Sequence, residues 1–107
     1  MTTAKYPLVS IIIPTYNRQE YLFKALRSLY LQNYPQNKIE TIIIDNGSND
    51  NTLQMLSLKF PKSIIIKNNR NIGFAPALNQ GIRKSQCQFI FVTNDDVTFD
   101  KNCLREL

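Results

Sequence analysis

Residues 8–13, with the sequence LVSIII, decide the fold class of this chain. The run is short, rich in β-branched residues and apolar almost throughout, which is typical of a strand buried on both faces of a parallel sheet. Comparable runs follow at residues 39–44, 63–66 and 89–92. We therefore expect an α/β protein with four parallel strands and with helices packed on both faces of the sheet.

Helical patterns separate these runs. After the first run, Asn17 and Glu20 have the spacing of a capping box, so Asn17 is the expected helix cap. Apolar residues then recur at intervals of three and four until Tyr34-Pro35, where proline ends the helix. This pattern predicts one amphipathic helix between the first and second strands.

Three more helices are expected further along the chain. The second begins near Asn49, the third follows Gly73 and turns Ile82 towards the core, and the fourth is capped by Asp100. The alternation β-α-β-α-β-α-β-α predicts right-handed crossovers and a Rossmann-like half-fold, predominantly parallel, in the strand order 3-2-1-4. With no linker-like stretch, the 107 residues form a single portion with one core.

Composition excludes several classes of function. The chain has no histidine, which rules out Ser-His-Asp and Cys-His nucleophile pairs and a histidine-based zinc site. Cys87 and Cys103 form no CxxC pair and are expected to be free thiols in a reducing compartment. No run reaches the roughly 20 apolar residues that span a bilayer. We therefore expect a cytoplasmic protein, with peripheral contact to the inner face of the membrane left open.

All five aspartates follow two of the predicted strands: Asp45 and Asp50 after the second, and Asp95, Asp96 and Asp100 after the fourth. Ligands of such sheets bind at the carboxyl ends of the strands, where the winding reverses. Carboxylates beside a phosphate-bearing ligand need a cation between them, and Mg²⁺ or Mn²⁺ would supply it. Asp50 and Asp100 are expected to serve as caps or turn formers.

Other phosphate-binding devices are missing from the sequence. Neither G-x-x-x-x-G-K-S/T nor G-x-G-x-x-G follows the first strand, where residues 14–17 read PTYN. Lys and Arg form no stripe, so nucleic acid is not an expected partner. The net charge of +5 is typical of a solvated protein face. A polyphosphate or an anionic membrane surface stays open as a binding partner of this charge.

Several segments resemble the motifs of one enzyme family. Residues 9–18, VSIIIPTYNR, are similar to the opening strand and loop of the inverting family 2 glycosyltransferases. Residues 43–50, IIDNGSND, resemble their second-strand nucleotide motif, and residues 71–75 and 79–82 resemble the segment before their metal motif. Residues 93–97, TNDDV, stand at that metal motif, so the resemblance covers almost the whole chain.

The resemblance implies a GT-A fold and transfer of a sugar from a nucleoside diphosphate donor to an acceptor hydroxyl, with Mn²⁺ or Mg²⁺ assisting departure of the diphosphate. It also implies a role in polysaccharide biosynthesis. The nucleotide-binding residues that it assigns are Pro14, Thr15, Tyr16, Asn17, Asp45, Asn46, Asn71, Gly73, Asn94 and Asp95, and the metal ligands are Asp96 and Asp95.

Two departures from the family pattern bear on the donor. Asp45-Asn46 stands where many members have paired acids and is closer to rhamnosyltransferase-like members, so UDP-linked and dTDP-linked donors both stay open. Asn94 stands where an aspartate often begins the metal motif, and Asp95 is expected to compensate as a ligand.

The family's general base is a carboxylate downstream of the metal motif, which the resemblance places beyond Leu107. We therefore expect this chain to be the donor-binding portion of a longer enzyme, inactive alone, whose acceptor is a glycan or a lipid-linked molecule. A sheet edge without a partner strand predicts self-association. The alternative is a non-catalytic nucleotide-binding or scaffold module that retains the fold.

Overall fold

The computed structural model describes residues 6–106, which form four strands and three α-helices. Their bounds, in chain order, are β1 Val9–Thr15, α1 Gln19–Tyr30, β2 Ile39–Asp45, α2 Thr52–Lys59, β3 Ile64–Lys67, α3 Phe74–Lys84 and β4 Phe89–Val92. A short 3₁₀ helix, Gln36–Lys38, precedes β2. The strands are parallel and lie in the order β3-β2-β1-β4, which confirms the predicted fold class.

The two central strands carry the core. All seven residues of β1 are buried, and its register with β2 runs from Val9 opposite Ile39 to Thr15 opposite Asp45. Because β1 and β2 end side by side, the loops that follow them emerge together. The structure thus brings Thr15 and Asp45 to neighbouring positions at the carboxyl edge of the sheet.

Helices cover both faces of the sheet. On one face, Ile11 and Ile13 pack with Leu22 and Leu26 of α1 and with Leu56 of α2. This face contains the larger of the two apolar clusters in the described part of the chain.

On the other face, α3 lies directly against the sheet. Ala77 joins the cluster formed by Ile12, Ile42 and Ile44. A Cβ atom added to Gly81 would lie 2.5 Å from Cγ2 of Ile12, so this glycine permits the close approach of helix and sheet.

The edge strands are less buried than their sequences predict. Side chains of β3 alternate between half-buried and exposed, and Phe89 and Ile90 of β4 are 50% and 43% exposed. Ile82 of α3, expected to face the core, is also exposed at 41%. The prediction of burial on both faces is wrong for β3 and β4, because within residues 6–106 the helices pack mainly on β1 and β2.

The predicted fourth helix is wrong as well, since residues 101–106 form turns. The carboxamide of Gln32 explains the difference. Its Nε2 donates to the carbonyl of Asp100 over 2.6 Å, and its Oε1 accepts from the amide of Leu104 over 2.9 Å. These two backbone groups would bond to each other in an α-helix, so Gln32 replaces the helical bond.

Two further points concern expectations from composition. Cys87 and Cys103 are free, as predicted. Of the helices within residues 6–106, none combines the length and apolar character needed to cross a bilayer.

Candidate functional site

An open cleft of about 410 Å³ lies at the carboxyl edge of the sheet. Loops after β1, β2 and β4 border it, together with the start of α3, as expected at the point where the winding reverses. Its lining residues are Pro14, Thr15, Tyr16, Arg18, Asn46, Asn71, Phe74, Asn94, Asp95 and Asp96. Eight of the predicted site residues are therefore brought together on one surface.

A larger concavity of about 690 Å³ lies near the amino ends of β2 and β3, with Ile39, Glu40 and Ile64 in its lining. We assign the candidate site to the smaller cleft for two reasons. The acidic pair Asp95 and Asp96 lies there, and the carboxyl end of a parallel sheet is where ligands bind.

Three predicted residues do not line the cleft. Asn17, with a positive φ of 51°, is turned towards the β2 loop: its amide donates to Ser48 Oγ over 2.9 Å, and its Oδ1 accepts from the amide of Asn49 over 2.8 Å. The prediction that Asn17 caps α1 is wrong, since Arg18 occupies that position. Gly73 precedes α3 with a φ of 92°.

Asp45 lies beneath the cleft and is fully buried. Its Oδ1 accepts from the amide of Ser48 over 3.4 Å, whereas its Oδ2 has no hydrogen-bond partner within residues 6–106. A buried carboxylate oxygen without a donor costs free energy. The β2 loop therefore retains one unfilled acceptor next to the cleft.

The acidic pair after β4 is held from the β1 loop. Thr15 Oγ1 donates to Asp95 Oδ2 over 2.9 Å. Arg18 reaches both acids, with Nε 4.0 Å from Asp95 Oδ1 and Nη1 3.9 Å from Asp96 Oδ2. The side chain of Asp95 is 13% exposed, and that of Asp96 is 47% exposed.

Burial raises the pKa of the Asp95 carboxyl above its usual range. The hydrogen bond from Thr15 and the charge of Arg18 oppose this rise, and the charge of Asp96 adds to it. A second positive charge at this position would favour the ionised form of Asp95. A cation bound at Asp95 and Asp96 would therefore favour ionisation of Asp95, and the ionised carboxylate would in turn bind the cation more tightly.

The carboxylates of Asp95 and Asp96 suit a cation that is also coordinated by the phosphates of a ligand. Within the described range 6–106, no group of three or more His, Cys, Asp or Glu side chains could hold a metal. Asp95 and Asp96 are nevertheless close enough for one cationic group, the Arg18 guanidinium, to approach both. Mg²⁺ and Mn²⁺ sites of this kind take one or two carboxylates and complete their coordination with substrate phosphates and water.

Sequence reasoning assigned no role to Arg18 or Phe74. Arg18 contacts the acids and also lies 5.2 Å from the centroid of the Tyr21 ring, a cation–π distance. Phe74 is 52% exposed at the start of α3. The available signals were a basic residue in a loop that faces acidic loops, and an aromatic residue directly after a glycine.

Asp50 acts as the expected turn former. Its Oδ1 accepts from the amide of Thr52 over 3.0 Å, and its Oδ2 accepts from the amide of Gln19 over 3.3 Å. Asp100 behaves similarly, accepting from the amide of Asn102 over 3.2 Å. Neither lines the cleft, in agreement with the structural role predicted for both.

Fold and cleft together define a Rossmann-like α/β protein whose sheet has an acidic cleft at its carboxyl edge. Residues 10–107 match the family model described as Glycosyl transferase family 2, and the chain belongs to this family. This finding confirms the resemblance seen in the sequence motifs.

Relatives and solved structures agree with the assignment. Glycosyltransferase AglE of Haloferax volcanii is 36% identical over 86 residues, which cover 78% of this chain and 28% of that protein. Mannosyltransferase PcManGT from Pyrobaculum calidifontis, in complex with GDP-Man and Mn²⁺, superposes with a TM-score of 0.80 at 26% identity, covering 90% of this chain and 30% of that one.

Staphylococcus aureus TarS 1-349, in complex with UDP-GlcNAc, gives a TM-score of 0.86 at 26% identity and covers 92% of this chain. The match takes in 29% of the TarS chain. This chain thus spans less than a third of each of these three proteins. The fold that they share is GT-A-like.

Proposed function

We propose that this chain binds the nucleoside diphosphate part of a sugar donor together with Mn²⁺ or Mg²⁺, as the donor-binding portion of a longer glycosyltransferase. The observation that carries the proposal is the position of Asp95 and Asp96 in the cleft, next to Thr15 and Arg18. Two similar solved structures support it: PcManGT is in complex with GDP-Man and Mn²⁺, and TarS with UDP-GlcNAc.

Different residues of the cleft would contact different parts of the sugar donor and its cation. Asp95 and Asp96 would hold the cation, and the hydroxyl of Thr15 fixes the carboxylate of Asp95 through its hydrogen bond. When bound, the cation supplies Lewis-acid neutralisation of the departing diphosphate. Tyr16 and Phe74, 43% and 52% exposed, offer aromatic surface to a nucleobase.

Arg18 carries the remaining positive charge of the cleft. A guanidinium binds phosphate oxygens through two parallel hydrogen bonds, which makes it a suitable partner for a diphosphate. In the structure the Arg18 guanidinium lies near Asp95 and Asp96, the proposed cation ligands. We propose that Arg18 turns to the diphosphate once a divalent cation neutralises Asp95 and Asp96.

Acceptor activation requires a general base, which we propose lies outside this chain. Asp95 and Asp96, the carboxylates of the cleft lining, are both engaged in the cation site, and the relatives are more than three times as long as the matched portion. On this proposal the 107 residues transfer no sugar alone. Sugar transfer in a coupled assay with these residues would contradict it.

The longer enzyme would use a UDP-linked or dTDP-linked donor and a glycan or lipid-linked acceptor in polysaccharide biosynthesis. Its proposed location is the cytoplasm or the inner face of the membrane. These proposals rest on the resemblance of the sequence motifs to the family, to which the chain belongs.

Strand β4 supplies a surface for self-association. Its outward residues Phe89, Ile90 and Val92 are 50%, 43% and 38% exposed, and within the described chain β4 pairs on one side, with β1. Unpaired apolar edge strands pair readily with another chain. Sedimentation at increasing concentration should show oligomers, whereas a monomer throughout would count against this surface.

Calorimetry with UDP and dTDP, with and without Mn²⁺, tests the proposed function. We expect nucleotide binding that strengthens with Mn²⁺, and loss of the Mn²⁺ effect in Asp96→Ala. Asp100→Ala is the matched control, because it removes the same charge from an exposed position outside the cleft. Binding without a metal effect, or no binding, would favour the non-catalytic scaffold module.

A further inference from the structure

Three side-chain amides form a hydrogen-bonded chain beneath the cleft. Gln80 of α3 and Asn68, directly after β3, bond reciprocally: Gln80 Nε2 donates to Asn68 Oδ1 over 2.9 Å, and Asn68 Nδ2 donates to Gln80 Oε1 over 2.8 Å. Asn68 Nδ2 also donates to Asn46 Oδ1 over 3.0 Å. Asn46 in turn donates from Nδ2 to the carbonyl of Gly73 over 3.4 Å.

The carbonyl of Gly73 fixes the direction of the whole chain of bonds. A carbonyl oxygen can only accept, so the Asn46 atom that faces it must be the amino group. The oxygen of Asn46 then faces Asn68, which must donate, and Gln80 satisfies the remaining amide atoms of Asn68. Turning any one of the three amides over would place two like groups against each other.

Asn46 is the member of this chain that lines the cleft, and it is 4% exposed. One N–H of its amino group is used by Gly73, and within residues 6–106 the other makes no hydrogen bond. The amide oxygen is already engaged by Asn68. The hydrogen of Asn46 that has no acceptor within residues 6–106 is therefore one N–H of the amino group, and this is the donor that Asn46 offers a ligand.

The position of Asn46 in the sheet indicates which part of the donor it meets. Asp95 and Asp96 follow β4, Asn46 follows β2, and β1 lies between them. With strands about 4.8 Å apart, the two sides of the cleft are separated by about 10 Å. A ligand whose phosphates lie at the acids extends its nucleoside across β1 towards Asn46, near the exposed ring of Phe74.

We infer that Asn68 and Gln80 are positioning residues that hold Asn46 with its N–H towards the nucleobase, so that Asn46 selects a pyrimidine with a carbonyl rather than an amino group at ring position 4. Uracil and thymine meet this requirement, and cytosine does not. The inference rests on the proposed function, because it needs the nucleoside of the donor to lie in this cleft.

Asn68→Asp tests the direction of the amides. An aspartate at position 68 can only accept, so Asn46 then lies between two acceptors, this carboxylate and the carbonyl of Gly73. Because a carboxylate is the stronger acceptor, we expect Asn46 to turn its amino group towards position 68 and its oxygen towards the ligand. We expect UDP affinity, measured with Mn²⁺, to fall about tenfold, which corresponds to one hydrogen bond of about 1.4 kcal/mol. CDP affinity should fall less, so that the UDP to CDP ratio decreases.

Asn69→Asp is the matched control, since it makes the same substitution at the neighbouring, exposed position. Gln80→Glu is the second variant: a glutamate can still accept from Asn68, so the direction of Asn46 and the UDP to CDP ratio should be preserved. Thermal unfolding of each variant without nucleotide separates lost selectivity from lost stability.

The outcomes distinguish failure of the proposed function from failure of the inference about Asn46. Absence of binding of both UDP and dTDP by the unaltered chain would overturn the proposed function and this inference with it. UDP binding with equal affinity for CDP, or with a UDP to CDP ratio that Asn68→Asp leaves unchanged, would overturn the inference and leave the proposed function standing. A preference for UDP that Asn68→Asp reduces and Asn69→Asp preserves would support it.

Discussion

The loop after β2 and the loop after β4 border the same cleft, and they are held in different ways. The β2 loop, residues 45–51, has side-chain hydrogen bonds to four parts of the chain: to Asn17 through Ser48 and Asn49, to Gln19 through Asp50, to Asn68, and to Gly73. The β4 loop, residues 93–96, is attached to its neighbours by one side-chain hydrogen bond from Thr15, one backbone hydrogen bond from the amide of Thr93 to the carbonyl of Ile12, and two long ion pairs from Arg18.

This difference shows which side of the cleft is held in place by the protein's own hydrogen bonds before a ligand binds. On the β2 side, the side-chain amides of Asn46, Asn68 and Gln80 are fixed by hydrogen bonds before a ligand binds. A surface that selects among ligands by hydrogen bonding needs this preorganisation. The β4 side carries two carboxylates whose mutual repulsion is countered only over long distances by Arg18, so a bound divalent cation would relieve it further. We infer that the nucleoside side is preorganised and that the cation side is completed on binding.

Gly47→Ala should give the largest effect and should break the β2 loop. Gly47 has a φ of +83°, and an added Cβ would lie 2.9 Å from the backbone Cα of Arg70. Positive φ and a backbone clash together should lower the free energy of unfolding by about 2–4 kcal/mol. Urea unfolding monitored by circular dichroism measures this loss.

The matched substitution in the β4 loop is Asn94→Ala. Asn94 is exposed, so the free energy of unfolding should change by less than about 0.5 kcal/mol. Similar losses in Gly47→Ala and Asn94→Ala would show that the two loops do not differ in the way we describe.

Arg18→Gln should have an intermediate effect, confined to the β4 side. Removing a positive charge that lies near Asp95 and Asp96 leaves the carboxylates free for a metal ion. We expect the affinity for Mn²⁺ in the absence of nucleotide to rise about two- to fivefold, the range for a half-exposed ion pair worth up to about 1 kcal/mol. Electron paramagnetic resonance of free Mn²⁺ measures it.

Arg27→Gln is the control for net charge, because Arg27 is exposed in the last turn of α1 and makes the same change of charge. An equal rise in both variants would assign the effect to long-range charge, and a fall in Arg18→Gln would show that Arg18 supports Mn²⁺ binding.

Asp95→Asn should give the smallest effect, in the pH dependence of stability. Because burial raises the pKa of Asp95 in the folded chain, its contribution to stability is present below the ordinary aspartate pKa of about 3.9 and is lost as the pH rises through the raised pKa. The asparagine variant should therefore gain stability relative to the unaltered chain as the pH is raised from about 4 towards neutrality.

Urea unfolding of both proteins across this range measures the difference, and asparagine still accepts the hydrogen bond from Thr15. A difference that is constant with pH, or that falls as the pH rises, would contradict the assigned direction of the pKa.

The sequence predicts the centre of the fold better than its edges. The continuous apolar runs of β1 and β2 coincide with full or near-full burial, and two of the five aspartates, Asp95 and Asp96, line the cleft at the expected edge. The run of β4 is equally apolar, yet its exposure depends on which elements pack beside it, and the run itself carries no such information. Local composition therefore identified the strands and could not rank their burial.

Contacts between distant segments account for the other differences. Gln32 displaces the last predicted helix from 68 residues away, and Asn17 bonds to the β2 loop rather than capping α1. Eight of the cleft residues were predicted because the resemblance to family motifs covers the loops that follow the strands. Asn68 and Gln80 carry no such motif, and their role becomes visible only when β3 and α3 are placed beside Asn46.

The paired bonds of Asn17 with Ser48 and Asn49 have a consequence for motion. They join the β1 and β2 loops, which are 31 and 32 residues apart in sequence at these contacts, into one mechanical unit. Exchange of the Asn17 and Asn49 amide protons with solvent is then governed by a shared opening, while the β4 loop opens separately.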